Sequence, residues 1–338
     1  MTPLLPDLLA GALLTLLGAA AVAALMTHLS LPLLQRHALA NPNARSSHRV
    51  PTPQGGGIAV IAATLVVAAT SAAWHHVPLP PILVAGTFLM AGVGFADDLV
   101  SLPVAPRLLL QVLAVGLVVI SAPAALHLVP ALPLALERAL ILFAGVWFVN
   151  LVNFMDGLDL MTVSEVVPVS LALVIAGLFG YLSVSATLLS AALCGALAGF
   201  APFNRPVARI FLGDVGSLPI GLVLFWGLWQ LAAGGHSAAA LLLPAYYLCD
   251  ATITLCLRIW RRENFWAAHR SHFYQRATDN GFTVKAVITH TTLLNLVLAV
   301  LALLTICVPS ALVTTLALAC GIIALTLTLS RFARRRIA

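Results

Sequence analysis

Long apolar stretches dominate this chain and constrain its fold more than any other feature. Only 8% of the 338 residues are charged, whereas about a quarter are charged in a typical soluble domain. About eleven runs are long enough to cross a bilayer as helices. They lie near residues 8–27, 56–74, 82–97, 107–124, 135–152, 167–183, 185–203, 215–233, 238–257, 287–307 and 310–330. The sequence therefore predicts an all-α, polytopic membrane protein of about 10–11 transmembrane helices, with one transmembrane domain over residues 1–338 and no soluble domain.

The basic residues fall almost entirely on one side of this predicted topology. Sixteen of the 17 lysines and arginines lie in one alternating set of loops, and only Arg138 lies in the other. Cytoplasmic loops of membrane proteins are enriched in lysine and arginine. We therefore expect an external N-terminus, a cytoplasmic C-terminus and an odd number of spans. The first apolar run lacks a basic segment before it, which favours a retained span over a cleaved signal.

Five aspartates reach the membrane surface on the same, cytoplasmic side. Asp97 and Asp98 end the third run, Asp156 and Asp159 follow the fifth, and Asp214 precedes the eighth. Carboxylates bind divalent metal ions, whereas arginines bind phosphate. This combination predicts a metal-dependent site for a phosphorylated substrate at the cytoplasmic surface.

The adjacent carboxylates of Asp97 and Asp98 are the strongest single signal. Two such groups repel each other and are costly near lipid unless a cation lies between them. Mg²⁺ suits oxygen ligands of this kind. Arg107 and Gln111, on the next helix, are placed to reach back toward the pair. The alternative is a solvated helix end.

Two further segments carry polar groups at helix ends. Asn150, Asn153 and Asp156 are spaced three apart, which predicts one helical face directed at the surface loop. Amides can bind a base or a sugar, and the acids can bind metal or hydroxyl groups. Asp214 stands where the eighth span begins, at a position that suits either a metal ligand or a helix cap. Asn204 precedes it by ten residues.

The loops at 41–57 and 258–285 complete the set. The first contains Arg45 and His48 and ends in three glycines, which we expect to let the backbone approach a ligand closely; a helix-start turn is the alternative. The second contains His269, Arg270, His272 and Arg276. The spacing of the histidines predicts one helical face. Without a third metal ligand, the surrounding arginines favour phosphate or sugar contacts over zinc. Asp250 is interpreted as a buried hydrogen-bonding residue, with direct catalysis as the alternative.

Taken in order, these segments resemble the polyprenyl-phosphate N-acetylhexosamine-1-phosphate transferases, a superfamily that includes phospho-N-acetylmuramoyl-pentapeptide transferase and enzymes that initiate O-antigen. Its members carry an aspartate pair, an Asn-x-x-Asn-x-x-Asp-Gly-x-Asp stretch, an asparagine ten residues before Gly-Asp-x-Gly-Ser, and a histidine loop. The resemblance covers residues 41–276. Two positions depart from it: Leu160 replaces a usual glycine, and Arg107 replaces a common lysine.

The resemblance implies transfer of an N-acetyl-aminosugar 1-phosphate from a UDP-sugar to undecaprenyl phosphate, with release of UMP, at the bacterial inner membrane. The histidine loop looks most like that of enzymes that start O-antigen or lipopolysaccharide-type glycans. The implied catalytic residues are Asp97, Asp98 and Asp214, with Mg²⁺, or alternatively Mn²⁺, held by Asp214 and Asp98. Asp97 is the candidate base or orienting group for the lipid phosphate.

The remaining polar residues are expected to bind the two substrates. They are Arg45, His48, Arg107, Asn150, Asn153, Asp156, Asp159, Asn204, His269, Arg270, His272 and Arg276. The expected partners are a UDP-N-acetyl-aminosugar, undecaprenyl phosphate and membrane lipids. The resemblance also allows a homodimer, and no nucleic acid is expected. The sequence leaves the identity of the aminosugar open.

Two other functions fit parts of the pattern. A transporter would also place acids in a helical bundle, but near the bilayer midplane and often in repeated halves; here the acids lie at one leaflet and no repeat is evident. A Mg²⁺-dependent membrane prenyltransferase also uses aspartates, usually in D-x-x-x-D clusters, and the segment from Asp97 to Ser101 lacks the last acid. Release of inorganic diphosphate, not UMP, would identify the prenyltransferase.

Overall fold

The computed structural model describes residues 5–40, 51–264 and 269–335. Within these ranges, ten helices are long and apolar enough to cross a membrane. They are α1 Leu5–His37, α2 Gly57–Trp74, α3 Pro81–Val100, α4 Val104–Ser121, α5 Leu134–Met155, α6 Met161–Leu178, α7 Val184–Asn204, α8 Asp214–Ala233, α12 Val284–Cys307 and α13 Ala311–Ala333. The prediction of an all-α polytopic membrane protein is confirmed.

Shorter elements complete the described structure. They are the strands β1 Leu39–Ala40 and β2 Thr52–Pro53, which pair antiparallel, and the helices α9 Ser237–Leu242, α10 Ala245–Trp260 and α11 Phe273–Asp279. The run predicted as the ninth span, 238–257, is divided in the structure between α9 and α10, which together lead from the end of α8 to the histidine loop. Pro244 lies at this break, and proline removes a backbone donor and clashes with the preceding helical turn.

Helix α8 lies at the centre of the bundle and α13 at its edge. In the apolar window of α8 89% of residues are buried, compared with 22% in α13. Helix α8 packs against α2, α3 and α5, whereas α13 packs against α9, α10, α11 and α12. The centre of the bundle therefore positions Asp214, the first residue of α8.

Glycines allow the close helix contacts around the start of α8. A Cβ atom on Gly94 would lie 2.1 Å from the carbonyl oxygen of Asp214, and one on Gly57 would lie 2.3 Å from the Cα of Gly216. No side chain fits at such distances. Helices α3 and α2 can approach α8 this closely only because positions 94 and 57 carry no Cβ.

The glycine run at 55–57 contacts another part of the backbone. We expected these glycines to let the backbone approach a ligand, with a helix-start turn as the alternative. Instead the N–H groups of Gly56 and Gly57 donate hydrogen bonds to the carbonyls of Phe211 and Leu212, at 2.9 and 2.8 Å. The run joins the start of α2 to the segment that leads into α8.

The predicted acidic surface lies at one end of the bundle. Direct contacts join the end of α3 to the starts of α4 and α8, and the end of α5 to the start of α8. Arg138 lies at the opposite end, where it donates hydrogen bonds to carbonyls at the end of α4. The aspartates predicted at the cytoplasmic surface and the one arginine predicted on the other side therefore lie at opposite ends of the bundle.

Candidate active site

Asp97 and Asp214 face each other across the guanidinium of Arg107. The Nη1 atom of Arg107 lies 2.6 Å from Asp97 Oδ2 and 3.8 Å from Asp214 Oδ2, so the same guanidinium brings the two carboxyl groups close together. The backbone N–H of Leu102 donates to Asp97 Oδ1 at 2.6 Å. Two carboxylates so close together repel unless a cation lies between them. The arrangement therefore attracts positive charge.

Asp98 points away from this pair and caps helix α8. Its Oδ1 accepts a hydrogen bond from the N–H of Asp214 at 2.9 Å, and its Oδ2 accepts one from the N–H of Val215 at 3.1 Å. Gln54, before the glycine run, donates to the same carboxylate. The first N–H groups of a helix lack partners within it, and a carboxylate there also interacts favourably with the helix dipole. Asp98 thereby fixes the position of Asp214.

Asn153 holds the carboxylate of Asp214 from the other side. Its Nδ2 donates to Asp214 Oδ1 at 2.7 Å and to Ser217 Oγ at 2.9 Å. Asn150, one turn earlier, donates instead to Gln111 Oε1 at 2.7 Å. The two asparagines of the predicted polar face therefore contact different helices. Only Asn153 contacts the acid pair, which is formed by Asp97 and Asp214.

Asp156 lies in the turn between α5 and α6, close to two other acids. The pKa of Asp156 is raised to about 7, chiefly by burial and also by the carboxylates of Asp98 and Asp159, although a hydrogen bond from Thr162 opposes the rise. A cation near this group would favour its ionised form. Cation binding at this surface is therefore expected to release a proton near neutral pH.

Asn204 joins two loops instead of pointing into open space. Its side chain is buried; Oδ1 accepts from the N–H of Leu160 at 2.7 Å, and Nδ2 donates to the carbonyl of Ile210 at 2.8 Å. Asp159 Oδ2 accepts from the N–H of Ala208 at 3.0 Å. These contacts fix the 156–160 turn against the segment before Asp214, so Asn204 acts as a positioning residue.

Asp250 anchors the histidine loop deep in the bundle. Its carboxylate is fully buried and accepts hydrogen bonds from the N–H groups of Phe273 and Tyr274, at 2.9 and 3.1 Å. His272 Nδ1 lies 3.3 Å from the same carboxylate. The interpretation of Asp250 as a buried hydrogen-bonding residue agrees with these contacts. The prediction that the histidines share a helical face is wrong, because α11 begins only at Phe273 and Asp250 binds its first N–H groups.

The two histidine rings still lie together, with centroids 4.9 Å apart. The pKa of His269 is lowered to about 4, chiefly by burial and also by the neighbouring His272 and Arg258. Nδ1 of His269 accepts a hydrogen bond from the N–H of Ser271 at 3.2 Å. A neutral imidazole with an accepting Nδ1 carries its proton on Nε2. His269 is thus a neutral hydrogen-bond donor.

The arginines of this loop have contacts within the protein. Arg270 Nη2 lies 3.1 Å from Asp279 Oδ1, and the guanidinium of Arg276 lies 5.5 Å from the ring centroid of Phe273. Arg45 and His48, also predicted to bind substrate, lie outside the described residues. Among the residues that the structure describes, no group of three His, Cys, Asp or Glu side chains could hold a metal ion alone. A metal here would take some ligands from a substrate.

Comparisons with known proteins agree with this geometry. The model for glycosyl transferase family 4 matches residues 80–231, a range that holds both members of the acid pair. A decaprenyl-phosphate N-acetylglucosaminephosphotransferase of Mycobacterium tuberculosis is 29% identical over 289 residues, covering 74% of this chain and 71% of the relative. A phospho-N-acetylmuramoyl-pentapeptide-transferase of Streptococcus pyogenes is 42% identical over 87 residues, 25% of each chain.

Over residues 80–231 the chain is similar to glycosyl transferase family 4. This match and the named relatives support the suspected superfamily and the enzyme class, a membrane phosphoglycosyltransferase. The match includes the aspartate pair, the Asn150 to Asp159 stretch and Asp214.

The sequence did not predict two polar residues of this site. Gln54 donates a hydrogen bond to Asp98, and Ser217 accepts one from Asn153. Each is a polar residue directly beside a glycine of a motif: Gln54 precedes the glycine run, and Ser217 ends the Gly-Asp-x-Gly-Ser element. That position next to a motif glycine could have identified both residues.

Leu160 adopts a backbone conformation that favours glycine, the residue expected at this position from the resemblance. Its φ of 62° and ψ of 5° place it in the left-handed region, which costs a leucine roughly 1–2 kcal/mol. Leu160→Gly should remove this strain but lose apolar contacts, so we expect the free energy of unfolding to change by less than about 1 kcal/mol. Leu160→Val should be less stable than Leu160→Gly, because β-branched residues tolerate positive φ poorly. Thermal unfolding in detergent compares the two; equal stability would contradict the argument.

Asp250→Asn should loosen the histidine loop. Asparagine keeps one acceptor and turns an N–H group toward donors, so we expect a loss of about 2 kcal/mol in the free energy of unfolding. The KM for the sugar donor should rise more than kcat falls, because the loop is misplaced before donor binding. Asp279→Asn, in an exposed ion pair at the end of α11, is the matched control and should cost about 0.5 kcal/mol or less. Equal effects of the two substitutions would exclude the anchoring role.

His269 should remain neutral across the physiological pH range. Its pKa lies below the ordinary value for histidine, so protonation is expected only as the pH falls toward about 4. In ¹⁵N-labelled protein, the ring nitrogens should keep the shifts of the Nε2–H tautomer from about pH 8 to about pH 5. A titration midpoint near 6.5 would show that the ring is accessible and not desolvated.

Proposed function

We propose that this protein transfers an N-acetyl-aminosugar 1-phosphate from a UDP-sugar to undecaprenyl phosphate and releases UMP. The observation that carries the proposal is the meeting of Asp97, Arg107 and Asp214 from three helices at one end of a membrane bundle. Two anionic substrates, one from the cytosol and one from the membrane, need such a mixed site of cations and carboxylates. The named relatives act on polyprenyl phosphate or on related phosphosugars.

The acid pair fits a divalent metal. Mg²⁺ is commonly bound through one or two carboxylates together with substrate phosphates, and Asp97 and Asp214 offer two adjacent carboxylates. We expected Asp98 to share the metal. Its hydrogen bonds to the start of α8 favour Asp97 as the second carboxylate and make Asp98 a positioning residue. When bound, Mg²⁺, or Mn²⁺ in its place, would offset the charge that develops on the departing UMP.

The side chains around Asp97 and Asp214 have separate roles in holding the site and binding phosphate. Asn153 and the cap by Asp98 hold Asp214 in place, and Arg107 is free to exchange its carboxylate contacts for phosphate oxygens. Asp97 orients the acceptor phosphate. It need not remove a proton, because a phosphate monoester with a second pKa near 6 is already largely ionised at pH 7.

The donor is assigned to the loops around the pair. His269 offers an uncharged Nε2–H, and His272, Arg270 and Arg276 add donors for the diphosphate and sugar. Asp156 and Asp159 line the nucleotide side, with Asn204 behind them as a clamp. The short histidine loop is expected to select the aminosugar.

The biological setting is also proposed. The one-sided distribution of arginines supports a bacterial inner-membrane protein whose active site and C-terminus face the cytoplasm. The form of the histidine loop supports a role in starting an O-antigen or lipopolysaccharide-type glycan. Because the mycobacterial relatives are named as N-acetylglucosaminephosphotransferases, N-acetylglucosamine is the first aminosugar to test.

The proposal is tested with purified protein, undecaprenyl phosphate, Mg²⁺ and a panel of UDP-aminosugars. We expect UMP and a lipid-linked sugar in equal amounts from one member of the panel. EDTA should abolish the reaction and excess Mg²⁺ should restore it. Release of inorganic diphosphate from a prenyl diphosphate substrate would point to a prenyltransferase. Uptake of solute by vesicles with no UMP from any donor would point to a transporter.

A further inference from the structure

A basic pocket that shares no lining residue with the site at Asp97 and Asp214 lies between the start of α12 and the end of α13. Its volume is about 700 Å³, and six of its lining residues are Phe282, His290, Leu327, Arg331, Arg334 and Arg335. Helix α13 packs against α9, α10, α11 and α12, at the edge of the bundle. The candidate active site, by contrast, is formed around the central helix α8.

The pocket has an excess of positive charge. Arg331, Arg334 and Arg335 lie within five residues of each other, and none of them takes part in an ion pair within the described ranges. Charges at the end of a transmembrane helix are often left to the solvent. Here, however, they line a concave site, so an anion can contact more than one arginine at once.

Aromatic packing gives the pocket a fixed floor. The rings of Phe282 and His290 lie 5.8 and 6.1 Å from the ring of Phe332, which is fully buried. Asn280 Nδ2 donates to the carbonyl of Phe332 at 2.8 Å and ties the end of α13 to the loop before α12. The Arg331 guanidinium lies 5.9 Å from the centroid of the Phe282 ring. The Arg331 guanidinium is thus held against this aromatic group.

The apolar side of the pocket opens toward the bilayer. Leu327, one turn before Arg331 on α13, is 66% exposed in a helix that spans the membrane. A ligand that fills the pocket would therefore meet arginines at one end and hydrocarbon at the other. A free phosphate ion uses only the first of these contacts, whereas an anionic phospholipid uses both.

We propose that this pocket binds the phosphate headgroup of an anionic phospholipid from the leaflet at the active-site end of the bundle. Basic pockets between transmembrane helices are suited to such headgroups. The lipid would contact the arginines at the end of α13 and lay one acyl chain along Leu327. This site is separate from that of the lipid substrate and does not depend on the proposed reaction.

The test is a titration of the purified full chain with phosphatidylglycerol, with bound lipid counted by native mass spectrometry. Because each basic residue near an anionic lipid contributes about 1 kcal/mol, Arg331→Gln/Arg334→Gln should weaken binding roughly 10- to 30-fold. Arg36→Gln/Arg205→Gln removes the same charge from two exposed positions at the same end of the bundle and should change binding less than about twofold. Glycerol 1-phosphate should not compete at comparable concentrations.

Several results would overturn the proposal. One is that the Arg331/Arg334 double variant binds phosphatidylglycerol as well as the original protein does; another is that the two double variants lose the same affinity. A third is that glycerol 1-phosphate displaces the bound lipid, which would indicate a site for free anions. Thermal unfolding in phosphatidylcholine micelles shows whether the double variant folds. If it does not, the single substitution Arg335→Gln, at the end of the described chain, should still weaken binding severalfold, and an unchanged affinity would count equally against the site.

Discussion

Asp214→Asn should lower kcat by roughly 10²- to 10³-fold while the protein still inserts in the membrane, because the substitution removes a charge that is needed at the reacting phosphate. Asp97→Asn should have a loss of similar size. Asp214→Asn should not reduce thermal stability, since it relieves the repulsion between two close carboxylates. Asp97→Asn also weakens the ion pair with Arg107 and should lower stability slightly. UMP release from proteoliposomes measures the activity. Asp7→Asn, at an exposed position near the start of α1, is the matched isosteric control and should stay within about twofold of the original protein.

Asp98→Asn should behave differently, and the difference tests the assignment of roles. It removes a helix cap, so it should cost about 1 kcal/mol of stability in addition to its loss of turnover. A stability loss in Asp214→Asn but not in Asp98→Asn would reverse the two roles. More than a tenth of normal turnover in both Asp97→Asn and Asp214→Asn would remove the acid pair from the mechanism.

Gly94→Ala should reduce turnover about 100-fold or more, although position 94 carries no reactive group. Its new Cβ would lie 2.1 Å from the carbonyl oxygen of Asp214, so α3 and α8 must separate. Both members of the acid pair stand on these two helices, and small displacements of catalytic groups can cost about 10²-fold in rate. A loss of about 1–3 kcal/mol in stability should accompany the change.

Gly92→Ala provides the matched control for this substitution. Gly92 lies on the same helix two residues earlier, and a Cβ there would meet nothing within 4 Å. Alanine also has the higher helix propensity, so stability should stay equal or rise by up to about 1 kcal/mol. Similar activities of the two alanine variants would show that the close approach of α3 to α8 does not control the site.

The sequence predicted the helices well because their signal is local. Each long apolar run indicates a membrane-spanning helix without reference to the rest of the chain, and the residues that flank the run lie at the ends of that helix. That is why Asp97 and Asp214 were placed correctly at helix ends. The break at Pro244 was missed because the apolar run continues through it, and composition alone does not reveal a lost backbone hydrogen bond.

The remaining misses are tertiary in origin. A glycine run shows that the backbone is approached closely, but the sequence does not say whether by a ligand or by another backbone, as at Gly57. The histidines were placed on a helix by spacing, yet α11 starts where Asp250 accepts the N–H groups of Phe273 and Tyr274. Asp98 and Asp214 cannot be told apart by residue type. Only the hydrogen bonds from the start of α8 show that Asp98 is the helix cap and that Asp214 is the residue it holds in place.

The central claim is that carboxylates from distant parts of the chain hold one divalent ion for phosphosugar transfer. Titration of the purified protein with Mn²⁺ in the presence of UMP, followed by electron paramagnetic resonance, tests it most directly. We predict one bound ion per chain in the original protein and in Asp7→Asn, and none at the same concentrations in Asp214→Asn. An Asp214→Asn variant that binds Mn²⁺ as the original protein does would contradict the account.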